Sequence, residues 1–260
     1  MLGVMEEFVV HPIHPDVEVR VTRRMPDLPP ALDARVETLW AQAASRVDAL
    51  GGSRLFNGQV FSIDTIAPDR INGHLTEYRR LVAQAEDNTL FPELGIRSLA
   101  VCGVLRCDGG VVIGRRSGSA IYHPNMWQLC PAGSVDGGAL RPDGTMDCRA
   151  QFLTEIREEL GLEPETIGEA TLLCLVEHHG GCLFDLGIAA TTSPGAEAVS
   201  RAHGTHGNGE YDPLRIVPTT ELPGFIAWAG ASLVPPAKLF LAHAGLLPRA
   251  CSGTPGSPAG

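Results

Sequence analysis

Thr154-Glu155-Ile156-Arg157-Glu158-Glu159-Leu160-Gly161-Leu162, with Pro131-Ala132-Gly133 upstream, is the stretch whose reading decides the fold. At about 100° per residue, a helix places Glu155, Glu158 and Glu159 at i, i+3 and i+4 on one face. Leu153, Ile156 and Leu160 fall on the other face, and Gly161 follows as a helix-ending glycine would. Three carboxylates opposite an apolar stripe suit a hard divalent cation, which takes oxygen ligands. The plain alternative is a solvated glutamate face, because like charges at this spacing cost only about 0.2–0.5 kcal/mol and Arg157 offsets part of that.

Working outward, Val111-Val112-Ile113-Gly114-Arg115-Arg116 reads as a strand, and Trp127-Gln128-Leu129-Cys130-Pro131-Ala132-Gly133 as a loop that feeds the helix. Together these segments resemble the Nudix hydrolase signature, Gly-x5-Glu-x7-Arg-Glu-hydrophobic-x-Glu-Glu-x-Gly-hydrophobic. The match is complete from Glu155 to Leu162, and the resemblance spans about residues 97–225. Thr154 stands where the signature has Arg and Met146 where it has Glu, so one structural ion pair of the family is missing. Gly133 lies 22 residues before Glu155, farther than the unbroken signature places it. The extra residues fall in Gly137-Gly138-Ala139-Leu140-Arg141-Pro142-Asp143-Gly144, whose turn chemistry fits a surface insertion.

The resemblance implies a Mg²⁺-dependent hydrolase, with Mn²⁺ as the alternative ion, that cleaves the diphosphate linkage of a nucleoside diphosphate joined to another group. Cations would neutralise the phosphates and lower the pKa of a bound water. It implies Glu158, Glu159 and the Gly133 carbonyl as metal ligands, with Glu155 as a further ligand or the group that orients water. Glu210 is the best-placed late carboxylate, with Glu177 and Asp185 as rivals. Arg115 and Arg116 are candidates for a substrate phosphate, since guanidinium binds phosphate bidentately. His178-His179 and His203-x-x-His206 lack the partner pattern of a transition-metal site and read as loop histidines. Ser117-Gly118-Ser119 and Gly204–Gly209 lack the ending of a phosphate-binding P-loop and read as loops.

The rest of the chain reads as α/β, an α/β/α sandwich with a mixed sheet plus an N-terminal α+β extension. Residues 1–96 form the extension, 97–248 the hydrolase-like domain and 249–260 a disordered tail. In the extension, Glu7–Val10 and Val17–Arg23 favour strand, Pro30 to Leu50 is an amphipathic helix, Gln59–Ile66 a strand and Leu75–Ala85 a helix, together a separate layer. Leu99–Arg106 and Val111–Arg116 form a hairpin; Ala170–Val176 and Cys182–Thr191 are further strands, parted by His178-His179-Gly180-Gly181. Thr220 to Gly230 and Pro236 to Leu247 supply closing helices, with Trp127 as core beneath the loop.

A chain of 260 residues with 44% hydrophobic content buries a full core, and a net charge of −10 argues against nucleic acid as a partner. Seven cysteines without a Cys-x-x-Cys pair point to a reducing cytoplasm. Met1–Glu7 lacks the basic start and apolar core of a signal peptide, and no segment reads as a membrane span. The reading admits a homodimer. Phe56-Asn57-Gly58, Thr76-Glu77-Tyr78-Arg79 and Glu210 are similar in layout to the Nudix proteins that hydrolyse UDP-glucose and UDP-galactose. Tyr78 and Arg79 are therefore expected at the nucleotide end of the ligand, with a nucleotide sugar favoured and ADP-ribose or a dinucleotide next. A silent nucleotide- or protein-binding module is the alternative from another class.

Overall fold

The computed structural model describes residues 8–52, 54–178 and 182–248; Met1–Glu7, His179-Gly180-Gly181 and the 249–260 tail lie outside them. The elements in chain order are β1 (Val9–His11), β2 (Glu18–Val21), α1 (Pro30–Ala49), β3 (Gln59–Ala67), β4 (Arg70–Glu77), α2 (Tyr78–Glu86), α3 (Phe91–Leu94), β5 (Ser98–Cys107) and β6 (Gly110–Arg116). There follow β7 (Trp127–Leu129), β8 (Ala132–Ser134), α4 (Cys148–Leu160), β9 (Thr171–Glu177), β10 (Leu183–Thr191), α5 (Ala196–His206), β11 (Tyr211–Val217), α6 (Leu222–Ala229) and α7 (Ala237–His243). The class is α/β with one mixed, curled sheet.

β5 organises the sheet. Along one edge it pairs in parallel with β10, from Ser98↔Leu183 to Arg106↔Thr191. Its other edge is shared in turn by β3 at Ser98, β8 at Ala100 to Cys102, and β6 at Arg106 and Cys107. Alternation along the strand sends Leu99, Val101 and Leu105 into one core and Cys102 and Val104 into another. The first core lies under α4 and α5, through Phe152, Ile156, Leu160 and Val199. The second lies under α6 and α7, through Leu222, Phe225, Phe240 and Leu241, and holds Trp127. Helices therefore cover both faces. No helix among the described residues is long and apolar enough to cross a membrane.

The N-terminal strands do not form a separate layer. β1 pairs with β9 at one edge of the sheet, while β3, β4 and β2 extend the other, and Val19, Phe61, Ile63 and Ile71 enter the same core as Leu99 and Val101. Pro30 starts α1, and Leu32, Val36, Ala43 and Val47 form its buried stripe. Leu50, expected on that stripe, is exposed because the helix has ended and Gly51 takes a positive φ of 70°. Leu75–Glu77 belongs to β4 and not to a helix, since ladder pairing with Val60 and Phe61 holds it extended. α2 begins only at Tyr78, whose N–H donates to the Gly58 carbonyl (2.8 Å).

The 137–144 insertion is docked on β2. Met146 N–H donates to the Val19 carbonyl at 2.7 Å and Val21 N–H to the Gly144 carbonyl at 2.9 Å. Met146, the position where the Nudix signature would have Glu, is buried in the core, and Thr154 returns its hydroxyl to the Ala150 carbonyl of its own helix. α5 and β11 carried no clear signal in sequence: α5 buries only Val199, too little for an apolar stripe, so its His203 and His206, expected in a loop, are helical.

Candidate active site

Asp147 caps the start of α4, its carboxylate accepting from Ala150 N–H at 3.0 Å, and Arg141 from the insertion pairs with Asp147. Gly161 ends the helix at φ +64°, and a Cβ there would lie 2.6 Å from His206 Cβ and 2.8 Å from the Ala202 carbonyl. That glycine lets α5 pack against α4. The chain leaving α5 is then fastened to α4 by Asn208 N–H, which donates to the Glu158 carbonyl (2.9 Å), and Asn208 Oδ1 accepts from Glu210 N–H (2.9 Å). Tertiary docking thus delivers Glu210 to the Glu-rich helix.

The three helix glutamates do not stay together on one solvent face. Glu155 and Glu159 are separated by only about 40° around the axis, whereas Glu158 and Glu159 are about 100° apart. Glu159 is 1% exposed, Glu155 is half-buried and Glu158 is exposed on the outer edge. Glu159 Oε2 accepts from Ala132 N–H at 3.0 Å, while its Oε1 is buried with no partner. Glu155 Oε1 accepts from Gln151 Nε2 at 2.7 Å, and Gln151 Oε1 accepts from Asp136 N–H at 3.3 Å. Gly133 lies directly against this carboxylate: an added Cβ would be 2.2 Å from Glu155 Cδ. The long spacing from Gly133 to the helix is therefore closed in space.

Burial pushes the Glu155 carboxyl up to about 7, and the charges of Glu210, Glu158 and Asp136 add to the rise against the lowering effect of the Gln151 hydrogen bond. Burial also drives Glu159 well above the usual carboxylate range, with Glu210 and Glu155 next in effect. Acidic oxygens in mutual repulsion, one of them unpartnered, form a donor set that a hard cation would satisfy. Among the described residues no three Asp, Glu, His or Cys side chains converge on a common point. The fit is accordingly to an ion such as Mg²⁺, which takes one or two carboxylates and completes its shell with water and substrate phosphate.

These groups border a cavity of about 740 Å³. Gly133, Asp136, Glu155 and Glu210 line one end, with Arg116 beside them; Glu159 lies behind this wall. Arg116 Nη1 reaches Glu210 Oε1 at 3.0 Å and donates to Gln128 Oε1 at 2.7 Å, and its Nε donates to the Tyr122 carbonyl at 2.9 Å. Arg115 is not brought to the cavity. Adjacent strand residues face opposite sides, and its Nε donates to the Asn125 carbonyl at the surface. Tyr78 lines the cavity. Arg79 does not: it ties α2 to α1 through Asp33 (2.8 Å) and pairs with Glu77 (3.0 Å). Of the rivals to Glu210, Glu177 pairs with His11 at 2.7 Å away from the cavity, and Asp185 lines the cavity paired with His178 at 2.8 Å.

Asp136, Gln151, Gln128 and Tyr122 join the site without having been singled out for it by sequence pattern, and His178, read as a loop histidine, joins it beside Asp185. Gln151 had a usable signal, one helical turn before Glu155, and Asp136 another, three residues past Gly133. The others reach the site only through folding.

No protein-family model matches the sequence, and neither does any curated protein. Among solved structures the chain is similar to DR0079 from Deinococcus radiodurans, at 19% identity and a TM-score of 0.39 over 55% of this chain and 80% of that one. It is similar to a C. elegans Ap4A hydrolase at 14% identity and a TM-score of 0.37, over 56% of this chain and 96% of that one. It is also similar to a NUDIX family hydrolase from Clostridium perfringens at 14% identity and a TM-score of 0.34, over 58% and 96% of the two chains.

Proposed function

We propose that this chain is a Nudix-type, divalent-cation-dependent hydrolase that cleaves the diphosphate linkage of a nucleoside diphosphate derivative, with a nucleotide sugar as the favoured substrate. The observation that carries the reading is half-buried Glu155 against Gly133 with buried Glu159 one helical turn on, joined by a glutamate from a distant loop, with one Glu159 oxygen unpartnered. Glu155 and Glu159 would hold Mg²⁺ or Mn²⁺ with the Gly133 backbone, Glu210 would stand beside them at the cavity wall, and Glu158 would act from the outer edge. When bound, the ion neutralises phosphate charge and makes a water nucleophilic near neutral pH.

The chain's own residues supply position and charge. Gln151 fixes the Glu155 carboxylate and Ala132 N–H fixes that of Glu159. Arg116, held by Gln128 and the Tyr122 carbonyl, presents its guanidinium at the cavity wall for a phosphate oxygen. Glu155, with its raised pKa, is suited to take a proton from water near neutral pH. The cavity volume of about 740 Å³ is in the range of small-molecule sites. A reducing cytoplasm suits the buried thiols of Cys102, Cys130 and Cys148.

The absence of three convergent side chains among the described residues favours one rival, a silent nucleotide-binding module. A panel of UDP-sugars, ADP-ribose and dinucleoside polyphosphates, incubated with Mg²⁺ or Mn²⁺ and followed by ³¹P NMR, separates the two. Cleavage abolished by EDTA supports the hydrolase; binding without cleavage of any member overturns it.

A further inference from the structure

Phe56 is 82% exposed, more than any other large apolar residue whose exposure stands out, yet it is not on a loose loop. Tyr78 N–H donates to the Gly58 carbonyl (2.8 Å), Arg79 N–H donates to Asn57 Oδ1 (2.9 Å), and Asn57 Nδ2 donates to Glu77 Oε1 (3.4 Å). The first turn of α2 thereby clamps residues 57 and 58 from both sides. At Gly58 a Cβ would sit 3.5 Å from the Phe56 ring, so the ring lies along the backbone in a defined place. A single exposed ring is ordinary on a protein surface; what sets Phe56 apart is that it lines the cavity on a hydrogen-bonded support.

The ring is part of the cavity wall. Tyr78, Ile121 and Tyr122 line the cavity as well, and the Tyr122 carbonyl accepts from Arg116 Nε. Tyr78 is steadied from behind by Trp40, ring edge to face at 6.1 Å and 83°. It also marks the direction of the site, because after burial the strongest influence on its hydroxyl is the charge of Glu210. Three residues after Phe56, at the start of β3, the exposed amide of Gln59 stands over Gly137 of the insertion and has no protein partner among the described residues. An amide offers one acceptor and two donors at a fixed edge.

We infer that Phe56 and Gln59 form a nucleobase subsite: the phenyl ring stacks on the base, the Gln59 amide reads its edge, and Tyr78 spans the distance to the phosphates. This rests on the hydrolase reading above for what occupies the carboxylate end. A base fits better than a sugar beside Phe56. It presents a π-face and one polar edge, whereas a hexose there would leave most of its hydroxyls against Phe56 and Ile121.

The test is calorimetric titration of the full chain, with Mg²⁺, against UMP, CMP, AMP and GMP, with ribose 5-phosphate and glucose 1-phosphate as base-free probes. At least one nucleotide should bind tighter than ribose 5-phosphate. Phe56→Ala should raise its Kd roughly 5- to 150-fold and leave ribose 5-phosphate unchanged, while Phe56→Trp keeps the wild-type value. Because the ring is exposed, the variants should melt as the parent does. Nucleotides binding no tighter than ribose 5-phosphate, an unchanged Kd in Phe56→Ala, or an equal loss for glucose 1-phosphate would overturn the subsite. Stacking without cleavage of any diphosphate would remove the hydrolase reading and keep this one. Cleavage with an unchanged KM in Phe56→Ala would do the reverse.

Discussion

At the scale of single residues, Glu159 is the group whose environment demands most. Its carboxylate is almost fully buried, holds one hydrogen bond to Ala132 N–H and leaves Oε1 unpartnered. Glu158, one residue earlier, is exposed. Glu159→Gln should therefore cut kcat/KM roughly 100-fold or more, the loss of several kcal/mol of metal-borne stabilisation, and Glu158→Gln should cost distinctly less. Equal losses in steady-state assays would show that the outer glutamate is as close to the metal as the inner one. Glu155 sets a pH dependence. Its folded-state pKa, raised to about 7, lies above the ordinary carboxylate value, so the folded chain holds the extra proton between the two and loses stability as pH rises through that window. In EDTA the protein should melt at a higher temperature near pH 5.5 than near pH 8. Glu155→Gln should flatten that slope and raise Tm at the higher pH, and an unaltered slope by calorimetry would refute the assignment.

At the scale of elements, α4 depends on its two ends more than on its charged face. Asp147 satisfies an N-terminal amide and Gly161 permits both the left-handed stop and the approach of α5. Asp147→Ala should cost about 1 kcal/mol, visible as a Tm lower by about 2–4 °C, with little change in the metal concentration needed for half-maximal activity. A shift in that concentration would mean the cap also sets the carboxylate geometry. The insertion after Gly133 belongs to two elements at once. Its start, at Asp136 to Gly138, lines the cavity, and its end pairs with β2. Helix periodicity made α4 legible from sequence, because each apolar contact it buries repeats every turn. α5 was not legible, since a single buried valine gives no period.

At the scale of the molecule, residues 8–96 and the residues from 97 onward share one sheet and one core. β3 lies on β5, and Phe61 and Ile63 are buried with Leu99 and Val101. The cavity wall likewise draws Phe56 and Tyr78 from one part and Glu155 and Glu210 from the other. Residues 97–260 produced alone should be insoluble, or soluble with kcat/KM far below that of the full chain. A soluble and fully active truncation would show the first 96 residues to be a separate module.

Some of this was present in the amino-acid order alone. The spacing of Glu155, Glu158 and Glu159, the alternation along Ser98–Cys107 and the glycine after Leu160 specify a carboxylate-bearing helix beside a buried strand, because each depends only on a local repeat. Which glutamates become buried, which of Arg115 and Arg116 faces the cavity, and how Glu210 arrives beside Glu155 were decided by tertiary structure. Those outcomes depend on where α5 docks, on which side of β6 is covered and on the pairing of β3 with β5. Contacts between residues far apart in the chain leave no period in the sequence. Only packing selects among the local arrangements that the sequence allows.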